Sequence, residues 1–349
     1  MKAIAHAGGK TRGLLVAALV VVGASACTPG TLGEDAGARG GSPGFGGEGP
    51  GGASGTSGAV SDGGIDAPPA LCPEQTGTFL RVSAGNRVGC AIRTDGTLTC
   101  WGAKYYAVPD PFPGQYTNVS AQGAICAVKS TGELACWGNE SFFQPVPTGR
   151  FVDVAVGEEA ACARRADKTV TCWGNPVRPY WVPPGRFYES LSGGAYFVCS
   201  LDASEHAAVC WDPRGSANPS DYSSVEVGPF SAVGAGRFYA CGLQSADSNV
   251  ACWSVVPIFA DASNTYGQLE AAPGPFDKLA VGEFHACGLR SDGQAVCWGN
   301  NNYGQATPPA GVAFQQLSVG SSQTCGILKD GTLRCWGEGC ASAPILPVP

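Results

Sequence analysis

Cysteine is the residue of this sequence best suited to do chemistry, because its thiol can pair oxidatively, bind a metal ion or act as a nucleophile. Seven times a cysteine is followed ten or eleven residues later by a second cysteine, and tryptophan comes directly after the second one. Two thiols at this spacing can meet across a short hairpin and form a disulfide. We therefore predict seven hairpin disulfides: Cys90/Cys100, Cys126/Cys136, Cys162/Cys172, Cys199/Cys210, Cys241/Cys252, Cys287/Cys297 and Cys325/Cys335.

Metal binding fits these cysteines poorly. The 17 cysteines include no C-x-x-C spacing, and only His6, His206 and His285 could add nitrogen ligands. Zinc and iron–sulfur sites need closer groups of ligands. We therefore expect no metal and no cofactor, and we expect the thiols to pair in an oxidising compartment. Buried free thiols lining a core remain the alternative.

The residues between two paired cysteines predict the shape of each hairpin. If Cys90 and Cys100 face each other on antiparallel strands, the loop between them is Thr94-Asp95-Gly96. Three-residue hairpin loops favour a left-handed residue at their third position, and glycine adopts that conformation most easily. Glycine recurs at this position as Gly132, Gly293 and Gly331.

Three units depart from this loop. The third unit has Lys168 in place of the glycine, which predicts a strained or differently shaped loop. The two units with an eleven-residue spacing have loops of four residues, 203–206 and 245–248, so their cysteines still face each other. The loop is one residue longer in these two units, yet the two cysteines still lie opposite each other, which supports the disulfide interpretation.

The cysteine pairs belong to a repeat whose period is near forty residues. The first cysteines are 36, 36, 37, 42, 46 and 38 residues apart. Each unit has an aromatic–aliphatic strand, a short strand at the first cysteine and a strand ending in Cys-Trp, with no helical period in residues 75–340. Such a period and such strands predict an all-β, seven-bladed β-propeller with three- to four-stranded blades. The repeated tryptophans and glycines are expected to be structural.

The N-terminus indicates export. Basic residues precede a short apolar run, Leu14 to Val22, which is too short to span a bilayer. The next segment, Ala24-Ser25-Ala26-Cys27, resembles a bacterial lipoprotein signal, which implies that Cys27 is lipidated and, with Thr28 after it, sent to the outer membrane. Ordinary cleavage, which would leave Cys27 as a free thiol on a secreted protein, stays open.

Three cysteines lie outside the seven pairs. Lipidation of Cys27 would leave sixteen cysteines, which can all pair. Because a ring-shaped fold brings its two ends together, we predict that Cys72, before the first unit, pairs with Cys340, after the last one.

Composition divides the chain into three parts. Residues 1–26 are expected to be a lipoprotein signal peptide, 27–71 a Gly/Ser-rich disordered tether, and 72–349 the propeller. The net charge is −7 and no Lys/Arg cluster occurs, which excludes a typical nucleic-acid-binding surface. We expect a monomer that meets the membrane only through its lipid.

The sixth unit carries a resemblance to a known family. Residues 282–305 read G-E-F-H-A-C-G-L-R-S-D-G-Q-A-V-C-W-G-N-N-N-Y-G-Q, which resembles the regulator of chromosome condensation repeat. The resemblance extends over about residues 75–340 and implies a seven-bladed propeller. The short period of the repeat is also similar to that of secreted bacterial relatives, such as a β-lactamase-inhibitor propeller. The family's nucleotide-exchange activity is not carried over, because this chain reads as exported and no matched position supplies the residues for it.

The loops that follow each Cys-Trp hold the candidate recognition residues. Aromatic side chains in loops are frequent interface anchors. Tyr106 and Phe142 align with Tyr303 of the family motif and are expected to pack between blades. The aromatics left for a recognition surface on one propeller face are Tyr105, Phe143, Tyr180, Trp181 and Phe259.

No catalytic constellation is evident. His206 and His285 have no evident nucleophile partner, and the single Asp-Gly turns do not converge as calcium ligands do. We therefore expect a non-enzymatic module that binds an unknown protein or glycan at the cell envelope. An envelope polysaccharide hydrolase or lyase and a purely structural envelope protein are the alternatives. Acidic or histidine side chains gathered at an axial opening would favour the enzyme, and an aromatic rim would favour binding.

Overall fold

The computed structural model describes residues 77–102, 111–138, 143–174, 180–213, 228–255 and 265–338. No helix in these ranges is long and apolar enough to cross a membrane. The strands are β1 Phe79–Ala84, β2 Gly89–Arg93, β3 Leu98–Trp101, β4 Tyr116–Ala121, β5 Ala124–Lys129, β6 Leu134–Gly138, β7 Asp153–Val156, β8 Ala160–Arg164, β9 Val170–Gly174, β10 Ser192–Gly193, β11 Val198–Leu201, β12 Ala208–Trp211, β13 Phe230–Ala235, β14 Tyr239–Gln244, β15 Val250–Ser254, β16 Lys278–Val281, β17 His285–Leu289, β18 Ala295–Gly299, β19 Phe314–Val319, β20 Gln323–Leu328 and β21 Leu333–Gly337.

These strands form seven antiparallel sheets, each made of three strands that follow one another in the chain. The first sheet contains β1 to β3 and the last contains β19 to β21, and β1 packs against both β19 and β20. The seven sheets are therefore the blades of a closed ring. This confirms the predicted all-β, seven-bladed propeller, with three strands in the described part of every blade.

All seven predicted hairpin disulfides are present. In every blade the two cysteines are direct partners in the register of the middle and third strands, and their Cα atoms lie 4.0 or 4.1 Å apart. The two blades with longer loops keep this facing. The bonded pairs are Cys90–Cys100, Cys126–Cys136, Cys162–Cys172, Cys199–Cys210, Cys241–Cys252, Cys287–Cys297 and Cys325–Cys335.

The two sulfurs of a pair differ in their surroundings. The first cysteine of every pair is fully buried on the middle strand of its blade, whereas the second lies on the outer strand. Six of the second cysteines are only half-buried, and Cys210 alone is fully buried. The half-buried ones are Cys100, Cys136, Cys172, Cys252, Cys297 and Cys335. The alternative of free thiols lining a core is therefore wrong for these fourteen residues, because each is bonded to its partner.

The remaining three cysteines lie elsewhere. Cys27, Cys72 and Cys340 are outside the described residues. The lipidation of Cys27 and the clasp between Cys72 and Cys340 therefore stay predictions.

The hairpin loops adopt the predicted left-handed conformation. Gly96 has φ 84°, and its N–H donates to the carbonyl of Arg93 at 2.9 Å. Lys168 has φ 69° and makes the equivalent bond to Arg165 at 3.0 Å, so its loop keeps the shape and accepts the strain. In the two four-residue loops, His206 and Ser248 take the left-handed position.

The left-handed residue of each hairpin also joins its blade to the next one. Its carbonyl accepts a hydrogen bond from the N–H of a buried aromatic residue at the start of the following blade, at 2.8 to 3.0 Å. The seventh of these bonds joins the last blade to the first. The donor and acceptor pairs are Tyr116–Gly96, Phe151–Gly132, Tyr188–Lys168, Phe230–His206, Phe276–Ser248, Phe314–Gly293 and Phe79–Gly331.

The same aromatic residues fill the core. All seven are at most 3% exposed, and several pack on the tryptophan of their own blade, as Phe314 does on Trp336 with ring centroids 5.4 Å apart. A small residue after the first cysteine makes room for the ring. A Cβ on Gly326 would lie 2.4 Å from Phe314. The repeated tryptophans are thus structural, because they serve sheet packing.

Glycines surround the axis where the first strands end. A Cβ on Gly320 would lie 2.4 Å from the carbonyl oxygen of Gly85, and one on Gly85 would lie 2.4 Å from that of Ala121. The second blade, which lacks the glycine, has three residues between the paired Ala121 and Ile125, whereas the first blade has four between Ala84 and Gly89. This shorter turn places Gln122 at the axis.

We predict that Gly331→Ala destabilises the protein by about 1–2 kcal/mol, because a left-handed residue with a Cβ is strained. Gly331 has φ 88°, and the new Cβ would lie 3.1 Å from the Cβ of Thr78 across the ring closure. Denaturant unfolding of the oxidised protein measures the change. Ser248→Ala is the control, because that position is left-handed and already carries a Cβ. Equal stability of the Gly331→Ala variant and the parent would contradict the role of this turn.

Candidate functional site

The propeller has two faces, which we name by their turns. The hairpin face carries the loops between the middle and third strands, and the inner-turn face carries the turns between the first and middle strands. Each third strand ends on the inner-turn face: the N–H of Asn300 donates to the carbonyl of Phe284 at 2.9 Å, and the N–H of Glu338 donates to that of Ser322 at 2.8 Å. The loops that follow each Cys-Trp therefore begin on the inner-turn face.

Two of these loops hold exposed tyrosines. In the Tyr-Gly-Gln segment at 303–305, the buried side-chain oxygen of Gln305 accepts a hydrogen bond from the N–H of Tyr303. The main-chain carbonyl of Gln305 accepts one from the indole N–H of Trp336 at 2.9 Å. The segment at 266–268 repeats the arrangement with Trp298. Tyr303 is 56% exposed and Tyr266 is 42% exposed. At this position Tyr303 is exposed and Gln305 is buried; the expected packing of Tyr106 and Phe142 between blades lies outside the described residues and stays a prediction.

Arg237 is the centre of an aromatic cluster on the same face. Its guanidinium lies 5.4 to 5.5 Å from the ring centroids of Tyr196, Phe238 and Phe284. It donates to the hydroxyl of Tyr196 at 3.0 Å, and Tyr196 stacks on Phe238. Tyr266 packs edge-on against Phe284 and extends the cluster. We call Tyr196, Arg237, Phe238, Phe284 and Tyr266 the aromatic–arginine surface; the four aromatic members come from three neighbouring blades and the loop between two of them.

A buried carboxylate lies beneath this surface. Glu283 is 4% exposed and accepts hydrogen bonds from Gln122 at 2.6 Å, from Arg237 at 3.0 Å and from the hydroxyl of Ser321. Gln122 belongs to the second blade and Glu283 to the sixth, so their bond spans the axial opening. A polar cavity of about 280 Å³ lies along the axis, and both residues line it.

Glu158 is the second carboxylate at this opening. Its pKa is raised by burial and by the negative charge of Glu283, while Arg237 lies 3.7 Å from it. Two acidic groups at one opening are a feature that favours an enzyme. The Glu283 carboxylate already accepts hydrogen bonds from three donors, Gln122, Arg237 and Ser321. Among the described residues, no group of three or more His, Cys, Asp or Glu could hold a metal ion.

His285 is a core residue. It is buried, and its Nε2 lies 2.7 Å from the hydroxyl of Thr324. Because that hydroxyl donates to the carbonyl of Gln305, the imidazole Nε2 must be the protonated donor. Burial lowers the pKa of His285 to about 3, so the ring is neutral. It joins the sixth blade to the seventh.

The structure separates the predicted recognition residues. Phe143 is 2% exposed and packs with Phe151 and Trp173, so its inclusion in an exposed surface is wrong: the ring fills the core of the third blade. Trp181 is half-buried against a core cluster, and Tyr180 is half-buried with its hydroxyl beside Gly174. Tyr105 and Phe259 lie outside the described residues, as do Tyr106 and Phe142. A role for Tyr180 and Trp181 in recognition stays a prediction.

The aromatic–arginine surface was missed from the sequence, although a signal for part of it exists. Tyr196, Phe238 and Phe284 each follow the axial glycine of their blade by two residues, at the centre of the inner turn. The other described blades with that glycine have Arg87, Glu159 and Ser322 there. Such wide variation at one position of a regular repeat is typical of a surface residue that the packing of the blades does not constrain.

Solved structures share this fold. The CRINKLY WD40 ectodomain of the Arabidopsis thaliana receptor kinase ACR4 is 24% identical, with a TM-score of 0.59 over 77% of this chain and 100% of that one. The ectodomain of the Physcomitrella patens receptor kinase CR4 is 22% identical, with a TM-score of 0.59 over 75% and 74% of the two chains. Human WBSCR16 is 12% identical, with a TM-score of 0.55 over 73% and 88%. At such identities the likeness defines the fold class, a β-propeller.

The repeat family follows from the sequence of the sixth unit. Residues 276–305 match the family described as Regulator of chromosome condensation (RCC1) repeat, so the chain contains a repeat of this family. This confirms the resemblance seen in residues 282–305, while the bacterial secreted branch stays a prediction. No curated protein matches the chain as a relative.

We predict that acidification weakens the fold through His285. The pKa falls from its usual 6.5 to about 3 on folding, so the unfolded chain binds an extra proton between these values. The part of the free energy of unfolding that depends on neutral His285 is fully present above pH 6.5. It decreases as the pH falls, by about 2 kcal/mol at pH 5. Denaturant unfolding at pH 7.5 and pH 5 measures it. His285→Gln keeps a donor for Thr324 and should lack this part of the loss, whereas an identical pH dependence in both proteins contradicts the assignment.

Proposed function

We propose that this protein is an exported, non-catalytic propeller that binds a protein partner through its inner-turn face. The observation that carries the proposal is the aromatic–arginine surface with the exposed Tyr303 beside it. Aromatic and arginine side chains dominate the energy of protein interfaces, because they bury large areas with few rotatable bonds. Here the rings are held by one another and by Arg237, so binding would cost little side-chain entropy.

The hairpin face offers a weaker case. Its aspartates are engaged in their own turns: Asp95, Asp167 and Asp330 each accept bonds from the N–H and hydroxyl of the threonine two residues on. Large apolar residues on its rim, such as Leu80 and Phe187, are exposed but belong to different blades, the first and the fourth. Guanidinium groups also lie over rings near this face, as Arg165 does over Phe151 at 4.7 Å, but Phe151 is buried, whereas the rings around Arg237 are half-buried. A glycan, which also stacks on aromatic rings, remains as an outcome of the test.

Export rests on the disulfides and on the N-terminal sequence. Seven disulfides within the described residues indicate an extracellular or exported protein, since such bonds persist in oxidising compartments. We propose further that Cys27 is lipidated in the outer membrane and that residues 27–71 are a flexible tether for a monomeric propeller. Simple secretion is the alternative.

An envelope polysaccharide hydrolase is the competing proposal. Glu158 favours it, because a carboxyl with a raised pKa beside another carboxylate is a typical general acid. The three hydrogen bonds to Glu283 and its burial speak against it, since glycoside hydrolysis needs a second carboxylate that can reach the substrate as base or nucleophile. The binding proposal requires neither group to change protonation.

We predict that Tyr303→Ala reduces retention of a protein partner about tenfold or more, since truncating an interface anchor costs ~2 kcal/mol. Full-length oxidised protein is immobilised, and retained envelope and secreted proteins are quantified. Phe187→Ala is the matched control, because Phe187 is equally exposed, at 56%, on the hairpin face. Equal loss in both variants, or retention of a glycan and no protein, would refute the protein-binding surface.

We predict that Cys27→Ser moves the protein from the membrane fraction to the soluble fraction, because the acyl chains can no longer be attached. Fractionation of cells producing the parent and the variant measures the change. Replacing Ser25 with alanine, which keeps the cysteine, serves as the control. A parent protein that is already soluble would favour the secreted alternative.

A further inference from the structure

We propose that a pocket between the sixth, seventh and first blades on the inner-turn face seats an acidic side chain of the protein partner against Arg87. The inference rests on the proposed protein-binding function and names one anchor of that interface. The pocket has a volume of about 420 Å³. Phe284 and Tyr303 supply its aromatic walls, Asn86 and Ser322 its neutral polar groups, and Arg87 and Glu338 its uncompensated charges.

The backbone of Arg87 is left-handed in the inner turn of the first blade, which the hydrogen bond from the N–H of Gly85 to the carbonyl of Val88 closes. Its φ is 56°, a left-handed value that costs an L-residue with a Cβ about 1–2 kcal/mol. Its neighbour Asn86 is of a type that tolerates this conformation better. Strain of this kind persists where it serves binding or catalysis. The conformation therefore supports a binding role for the Arg87 side chain.

The guanidinium of Arg87 is available to a ligand. The side chain is exposed, and no other described residue forms a hydrogen bond or ion pair with it. Arg237 lines the same pocket but is committed to Glu283 at 3.0 Å and to Tyr196. Because Arg237 is shared between Glu283 and Glu158, which lies 3.7 Å from it, Arg87 is the cation of this pocket that an incoming anion can pair with.

The surroundings of Arg87 favour a carboxylate on an apolar stem. A guanidinium binds a carboxylate with two parallel hydrogen bonds. The rings of Phe284 and Tyr303 can pack against the methylene groups of an aspartate, a glutamate or a neighbouring apolar residue. Glu338, on the wall of the same pocket, repels an anion and so limits it to the side nearest Arg87.

The opposite effects of these two charges make the test sharp. The probe is 4-fluorophenylacetate, which joins a carboxylate to an aromatic ring, titrated into full-length oxidised protein and followed by fluorine NMR. Arg87→Asn should weaken its binding about tenfold or more, because a charged hydrogen-bonding partner is lost. Asparagine tolerates the left-handed backbone, and an unchanged melting temperature shows that the variant is folded. Glu338→Gln should strengthen binding severalfold.

Two controls address charge and chemistry. Arg150→Asn removes an exposed arginine that lies beside the hairpin loop of the second blade, and it should leave binding unchanged. The neutral 4-fluorophenylacetamide should bind much more weakly than the acid. The proposal is overturned if Arg87→Asn binds like the parent, if the amide equals the acid, or if phenyl phosphate is preferred over the carboxylate.

The outcomes separate this site from the wider function. A partner that is lost by Tyr303→Ala and kept by Arg87→Asn overturns the anchor and leaves the binding face intact. Carboxylate binding that depends on Arg87, with no protein retained, supports the pocket and overturns the proposed partner class. Loss of the partner in both variants, together with the carboxylate result, supports both.

Discussion

The propeller depends on one backbone hydrogen bond that is used seven times. In each blade the left-handed residue of the hairpin turns its carbonyl towards the next blade, where the N–H of a buried aromatic residue donates to it. The hairpin disulfide holds the two strands that lead into this turn in register. A slip of one residue would move every side chain of the hairpin to the opposite side of the sheet and remove the carbonyl from its donor. Local cross-linking and ring closure are therefore parts of the same constraint.

This hydrogen bond between blades uses only main-chain atoms, so it does not restrict which side chains the bonded residues carry. The inner turns show the result most clearly. Around the axis, glycine and a few small residues satisfy the close approach of the blades, and the position two residues further on varies from tyrosine and phenylalanine to arginine, glutamate and serine. The aromatic–arginine surface, with its buried Glu283, thus lies on the part of the scaffold that packing constrains least.

The regular features of the sequence predicted the regular features of the fold. Cysteine spacing, glycine turns and the period near forty indicated the blade number, the strand order and the disulfide register, because each arises from contacts within about forty residues. The site was harder to predict, since its contacts link distant units: Gln122 and Glu283 are 161 residues apart. Phe143 failed as a surface residue because loop position does not determine burial.

The point at which the chain enters the propeller has a steric consequence. The first described residues lie on the hairpin face: the hydroxyls of Thr78 and Thr94 are 2.9 Å apart, and Gly331 contacts Thr78 across the ring closure. The aromatic–arginine surface and the Arg87 pocket lie on the other face. The chain therefore enters the propeller at residue 77 on the face opposite to the proposed interface. The chain leaves the described part of the propeller at Glu338, which lines the Arg87 pocket, so a macromolecule that approaches the interface meets this end of the chain and not the end at residue 77.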